Sequence, residues 1–181
     1  MAVTVTPETF TLVKFDRDEL IDVAEKLLVD IGLADLGLHI DVDETTPLGR
    51  AVVSGSDPVT MAVESGALED PKHPRELSAT GSADLLGRLL LRVRDRRSPG
   101  FGDAPSDADL SQAHAVAWDV YSIGRLTRLG YKHYDNRQRR LYHFRNRHSF
   151  SDAADAAFER LWSADSLTWA EITALSDSAS A

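Results

Sequence analysis

Apolar residues recur at helical spacing through residues 107–129, and this stripe constrains the fold more than any other feature of the chain. A stripe this wide is typical of a helix at the centre of a packed core. We predict that the helix begins at Asp107 and ends at Gly130, because glycine readily takes the left-handed conformation that stops a helix. Gly124 in its interior costs about 1 kcal/mol against alanine, unless a neighbouring backbone packs closely there.

Capping residues predict four further helices. The first follows Asp16 and stops at Gly32. The second begins near Thr80 or Ser82, and one of its faces carries arginines at a spacing of four residues: Arg88, Arg92 and Arg96. Two more are predicted at 152–162 and about 166–176.

Short segments of strand-like composition predict four strands, near residues 9–15, 37–43, 50–54 and 59–64. Residues 66–81 contain two prolines and show no periodicity, so we predict a loop there. The fold class is therefore α+β. It has a small, mainly antiparallel sheet in the N-terminal half, packed by helices, and a helical C-terminal half.

A chain of 181 residues can bury a core of its own, and one domain is the first expectation for this length. We predict a single globular domain over residues 1–176. Residues 98–106, with two prolines and two glycines, are the best internal break. Residues 177–181 are predicted to be a disordered tail.

Composition excludes several classes of site. The chain has no cysteine, which removes disulfides, thiol nucleophiles and cysteine-bound metals. The first ten residues do not resemble a secretory signal, and no apolar run is long enough to span a membrane. We predict a soluble, cytoplasmic protein with no membrane contact, and the pattern indicates no cofactor or metal.

Charge is unevenly distributed along the chain. The formal net charge is −9, yet residues 131–150 hold six of the twenty Lys/Arg, five of the thirteen aromatic residues and three of the six histidines. Residues 88–97 are also basic, with five arginines and one aspartate. A concentration of cations and rings favours contact with something anionic or planar.

We predict that residues 131–150 form a β-hairpin, since a turn-like DNRQ sequence separates two segments of strand-like composition. Arginine binds phosphate and carboxylate, and exposed rings stack on bases. Seven residues are the candidate binding set: Arg137, Arg139, Arg140, Tyr142, His143, Arg145 and Arg147. The alternative is structural, with these arginines neutralising carboxylates elsewhere in the fold.

A second candidate site lies in the predicted strand 37–43. Alternation places His39, Asp41 and Asp43 on one face, where imidazole and carboxylates could bind a metal or act as general acid and base. His114 is the further residue considered for this centre. The alternative is that the strand face pairs with the arginine row of the second helix.

Function follows from these two candidates. The sequence favours a non-catalytic binding or regulatory protein that contacts an anionic partner through 131–150. That partner would be an anionic ligand, a nucleic acid or an acidic protein surface. The alternative is a metal-dependent or acid–base hydrolase centred on His39, Asp41, Asp43 and His114. The sequence does not decide whether the chain is an enzyme.

Overall fold

The computed structural model describes residues 3–180 and divides the chain into two compact units, Met1–Leu89 and Leu90–Ala181. The described residues contain six helices, a four-stranded sheet and a two-stranded sheet. This content confirms the α+β class. The boundary between the units precedes the break considered at 98–106, and the single-domain prediction itself stays a prediction.

The first unit is built on a four-stranded sheet of order β1-β2-β4-β3. Its strands are β1 (Val3–Thr6), β2 (Leu38–Asp43), β3 (Ala51–Ser54) and β4 (Val59–Glu64). β1 pairs with β2 and β2 pairs with β4 in parallel, and only β3 runs antiparallel, against β4. The predicted mainly antiparallel sheet is therefore wrong. A helix joins β1 to β2, and such a crossover brings the chain back in the same direction.

Residues 9–15 do not form the first strand, which lies earlier, at β1. Only Lys14 in this segment makes a bridge, to Glu76. The Glu44 carboxylate instead accepts hydrogen bonds from the backbone N–H groups of Thr11, Leu12 and Val13, at 2.8, 2.6 and 3.3 Å. These donors, the Leu12 N–H above all, lower the pKa of Glu44. Because these backbone N–H groups donate to a carboxylate, they cannot donate to a neighbouring strand, and residues 11–13 do not join the sheet.

Helix α1 (Arg17–Asp30) begins at the predicted cap, because the Asp16 side chain accepts hydrogen bonds from the next turn. Two short strands, β5 (Glu69–Asp70) and β6 (His73–Leu77), pair where a loop was predicted. Pro74 lies within β6 and Pro71 lies between the strands, and the sequence shows no alternation, so local patterning does not reveal the pairing.

Five helices lie wholly or partly in the second unit. They are α2 (Ala79–Arg97), whose first part belongs to the first unit, α3 (Gln112–Arg128), α4 (Arg137–Arg147), α5 (Asp152–Ser163) and α6 (Trp169–Ala179). α3 begins five residues later than predicted, with Ser111 as its N-cap. Trp118, Tyr121, Phe144 and Phe158 are the largest fully buried side chains of the core that α3, α4, α5 and α6 share.

The predicted basic β-hairpin at 131–150 is wrong, because residues 137–147 form helix α4. Asn136, which the sequence places in a turn, is the N-cap, and its side chain accepts a hydrogen bond from the Arg139 N–H at 2.9 Å. Phe144 and His148, at a spacing of four, lie on one side of the helix. Arginine and glutamine also favour a helix over a strand. These signals override the alternation of residues 140–144.

Helix α6 reaches nearly to the end of the described residues. Residues 177–179, part of the predicted disordered tail, belong to α6, and Ala181 lies outside the described residues. Within residues 3–180, no helix is both long enough and apolar enough to cross a membrane.

Candidate functional site

Helix α4 turns one side toward α5, and two of the five candidate arginines lie on that side. Arg145 donates through Nε to Asp155 at 2.7 Å and makes a second hydrogen bond to the same carboxylate. Arg137 forms an ion pair with Glu159, and its guanidinium lies 5.6 Å from the ring centre of Trp162. The Arg145 hydrogen bonds lower the pKa of Asp155, and Asp155 raises the pKa of Arg145. Arg137 and Arg145 are thus used within the fold.

The opposite side of α4 faces solvent and carries four of the candidate residues. We call it the α4 outer face, and it consists of Arg139, Tyr142, His143 and Arg147, continued by Phe150 beyond the helix end. The spacing of three and four residues places these side chains together. Tyr142 and Phe150 are 55% and 65% exposed, which is unusual for large rings. Their ring centres lie 6.0 Å apart, so they form one aromatic patch.

Charge on the α4 outer face is only partly neutralised. Arg139 pairs with Asp135, one turn earlier, at 3.1 Å, and its side chain remains 67% exposed. Arg147 is exposed and forms no ion pair with any residue in 3–180. Arg140 lies between the two sides of the helix and is half-buried. The outer face therefore offers two accessible guanidinium groups beside two rings and an imidazole.

His148 anchors the end of α4 on the inner side. Its ring stacks on Phe144 with centres 4.1 Å apart, and Nε2 lies 2.9 Å from the Ser176 hydroxyl of α6. Burial lowers the pKa of His148, because the charged imidazolium would lose hydration. The outer face is therefore presented on a helix whose opposite side is tied to both α5 and α6.

The arginine row of α2 (Arg88, Arg92 and Arg96) is paired with carboxylates and is not available to a partner. Arg92 donates to Asp119 at 2.7 Å, and Arg96 donates to Asp107 at 2.5 Å. The expectation that the arginine row is neutralised is confirmed. The strand carboxylates named as its partners were the wrong ones, since Asp84 pairs with Arg88 and aspartates of the second unit pair with Arg92 and Arg96.

A buried ion pair crosses from α2 to α3. Asp95 accepts two hydrogen bonds from Arg125, both at 2.7 Å, and a third from the Trp118 ring N–H at 2.8 Å. The Arg125 guanidinium also lies 3.7 Å from the ring centre of Tyr121. A buried charge needs an oppositely charged partner and hydrogen bonds of this kind, so we assign this ion pair a structural role. Sequence spacing does not reveal it, because the partners are thirty residues apart.

A cleft of about 160 Å³ adjoins this pair, between residues 94–101 and 165–168. Arg94 is exposed at the cleft, and Tyr121 lies against it. The Tyr121 hydroxyl accepts the Leu167 N–H at 3.0 Å. The cleft is small beside the roughly 300–1,000 Å³ of typical ligand sites.

The alternative site lies on β2 as predicted, with His39, Asp41 and Asp43 on one face. His39 Nδ1 lies 2.8 Å from the Thr4 hydroxyl, and the Thr6 hydroxyl donates to Asp41 at 2.7 Å. The imidazole and the Asp41 carboxylate are therefore tied to threonines of β1.

His114, the fourth residue of that alternative, belongs to the second unit, where its Nε2 lies 3.2 Å from Asp177. Its ring meets that of Trp169 edge-on, with centres 5.7 Å apart. In the part of the chain that the structure describes, no group of three or more His, Cys, Asp or Glu is arranged to hold a metal ion. The hydrolase alternative stays a prediction.

Comparison with known proteins identifies no similar protein. No protein-family model, curated protein or solved structure matches the chain. The geometry and charge of the chain itself are therefore the basis for a functional proposal.

Proposed function

We propose that the protein is a non-catalytic binding or regulatory protein that contacts an anionic partner through the α4 outer face. The observation that carries this proposal is the exposure of Tyr142 and Phe150 on the same helix end as the exposed Arg147, which forms no ion pair within residues 3–180. Guanidinium groups bind carboxylate or phosphate, and neighbouring rings add stacking or packing.

The binding set is smaller than the seven residues considered from the sequence. Arg137 and Arg145 support the site by fixing α4 against α5, and they do not contact the partner. Arg139 and Arg147 supply charge, while Tyr142 and His143 supply contact area and hydrogen bonds. Because Asp135 already pairs with Arg139, a partner anion competes with it for that guanidinium.

The charge of the chain limits the strength of this binding. The second unit has thirteen Lys/Arg and twelve Asp/Glu, a formal charge of +1, and most of its arginines described above are paired. The first unit has seven Lys/Arg and seventeen Asp/Glu, a formal charge of −10. A polyanion is therefore attracted locally at α4 and repelled by the net charge, so we expect binding that is weak and strongly salt-dependent.

Heparin affinity chromatography over a salt gradient tests the proposal. We expect wild type to be retained at low salt and Arg139→Ala/Arg147→Ala to pass through. For a titrated polyanion, removing two contacting cations lowers the slope of log affinity against log salt by about 2.

The matched control is Lys14→Ala/Lys72→Ala, which removes two exposed cations of the first unit. This variant should be retained like wild type. Equal loss of retention in both variants would show that net charge, and not the α4 outer face, governs binding. No retention of wild type at low salt would overturn the proposal.

A further inference from the structure

The four-stranded sheet of the first unit has one buried face and one open face. Residues alternate along β2, where Leu38, Ile40 and Val42 are buried and Asp41 and Asp43 are exposed. Largely parallel sheets usually have both faces covered by other elements. An open face on such a sheet is therefore a surface on which another element can pack.

Carboxylates dominate this open face. A depression of about 180 Å³ is lined by the carboxylates Asp41, Asp43 and Glu64, by one cation, Arg50, and by apolar residues that include the exposed Ala62. Asp41 and Asp43 bind hydroxyl groups, and Glu64 accepts the Arg50 backbone N–H at 2.9 Å. None of the three forms an ion pair with a residue in 3–180. We call this surface the carboxylate face.

We propose that the carboxylate face binds the α4 outer face of a second copy of the chain. The proposal rests on the proposed function, since it names the anionic partner of α4 as an acidic surface of the same protein. Charge complementarity selects the occupant. Arg147 and the exposed Arg139 present positive charge in the second unit, and the first unit carries a net charge of −10.

The dimensions of the two surfaces agree. α4 has eleven residues, and at about 1.5 Å per residue it is roughly 16 Å long. β2 and β4 have six residues each, and at about 3.3 Å per residue they span roughly 20 Å. One helix thus covers the strands along their length, as helices do in layered α/β structures.

The contact is heterologous, because a different surface is used on each copy. When two copies associate, one copy still has a free carboxylate face and the other still has a free α4 outer face. Further copies can therefore bind, and the assembly becomes a closed ring or an open chain. The interface is small, and the expected affinity is in the range of weak, transient complexes.

Sedimentation velocity of the full chain over a concentration series tests the proposal. The sedimentation coefficient of wild type should increase with protein concentration, with association evident below about 1 mM. Arg139→Glu/Arg147→Glu makes both surfaces acidic, and Asp41→Lys/Asp43→Lys makes both basic, so each variant alone should associate at least about tenfold more weakly. An equimolar mixture of the two variants should associate again, because each then meets an oppositely charged surface.

Ala62→Arg is the second variant, since it adds bulk to the carboxylate face without removing a hydrogen bond of the carboxylates. It should reduce association while the far-UV circular dichroism stays that of wild type. A wild type that is monomeric up to about 1 mM overturns the proposal. So does association that none of the variants changes, or a charge-reversed mixture that stays monomeric.

Heparin retention separates this proposal from the function on which it rests. If retention depends on Arg139 and Arg147 but the chain stays monomeric, the α4 outer face binds anions and only the self-association is wrong. If retention does not depend on these residues, the α4 outer face has no affinity for anions and both proposals fail.

Discussion

Gly124 shows how a single residue sets the distance between two helices. A Cβ atom built on Gly124 of α3 would lie 2.1 Å from the carbonyl oxygen of Trp162 in α5. The contacting atom is backbone, so it cannot move aside as a flexible side chain would. The close packing considered from the sequence is therefore present, and it offsets the low helix propensity of glycine.

Gly124→Ala should destabilise the protein by about 1–3 kcal/mol, because α3 and α5 must separate to accept the methyl group. Thermal unfolding followed by circular dichroism measures the effect. Gly49→Ala is the matched control, since a Cβ atom there meets nothing within 4 Å. A Gly124→Ala protein as stable as wild type would contradict the close approach of the two backbones.

Helix α4 is the element on which the sequence and the structure differ most. Residues 137–147 contain both an alternating pattern and a helical pattern, and a short segment of this kind fits either. Two contacts decide for the helix: the Asn136 cap on the Arg139 N–H and the burial of Phe144 against the core. The cap can be read from the sequence, whereas the burial depends on α5.

Asn136→Ala should cost about 1 kcal/mol of stability, because the first turn of α4 loses its side-chain acceptor. Asn136→Asp should retain most of the stability, since a carboxylate accepts the same hydrogen bond. Urea unfolding of the three proteins measures both effects. Gln138→Ala, an exposed position in the same turn, is the control and should change stability little. A destabilisation equal to that of Gln138→Ala would contradict the cap.

At the scale of the whole molecule, charge is divided between the units and largely paired within them. The acidic balance of the chain belongs to the first unit. In the second unit, Arg92 and Arg96 of α2 and the arginines on the inner side of α4 meet aspartate and glutamate of that same unit. This division leaves two exposed surfaces of opposite sign. Net charge alone, at −9, conceals both.

Acid should destabilise the protein through its hydrogen-bonded carboxylates. Hydrogen bonds lower the pKa of Asp43, Glu44, Asp155 and Glu171 in the folded chain. The unfolded chain then binds more protons at acidic pH, so stability is full above the unfolded values of about 4 and is lost as pH falls through the lower folded values.

The urea midpoint measured between pH 7 and pH 3 checks this dependence. Glu44→Gln and Asp155→Asn should each flatten the curve below about pH 4, because each removes one such carboxylate. Glu8→Gln, at an exposed position, is the control. A midpoint that rises as pH falls would contradict the direction of these shifts.

Short-range signals determined much of this fold from the sequence alone. The cap Asp16, the helices near 152–162 and 166–176 and the alternation along β2 were predicted and are present. Each of these signals acts between residues a few positions apart, so a single sequence contains it.

Only the tertiary structure decided the direction of the strands, the helical state of 137–147 and the partner of each arginine. Asp95 and Arg125 show why: their ion pair joins residues thirty positions apart, and any of many carboxylates could satisfy the same guanidinium. Long-range pairing depends on which surfaces packing brings together. The sequence placed the candidate site within residues 131–150, and that site stays a prediction. Packing against α5 then decided which of its charges remain on the outer face.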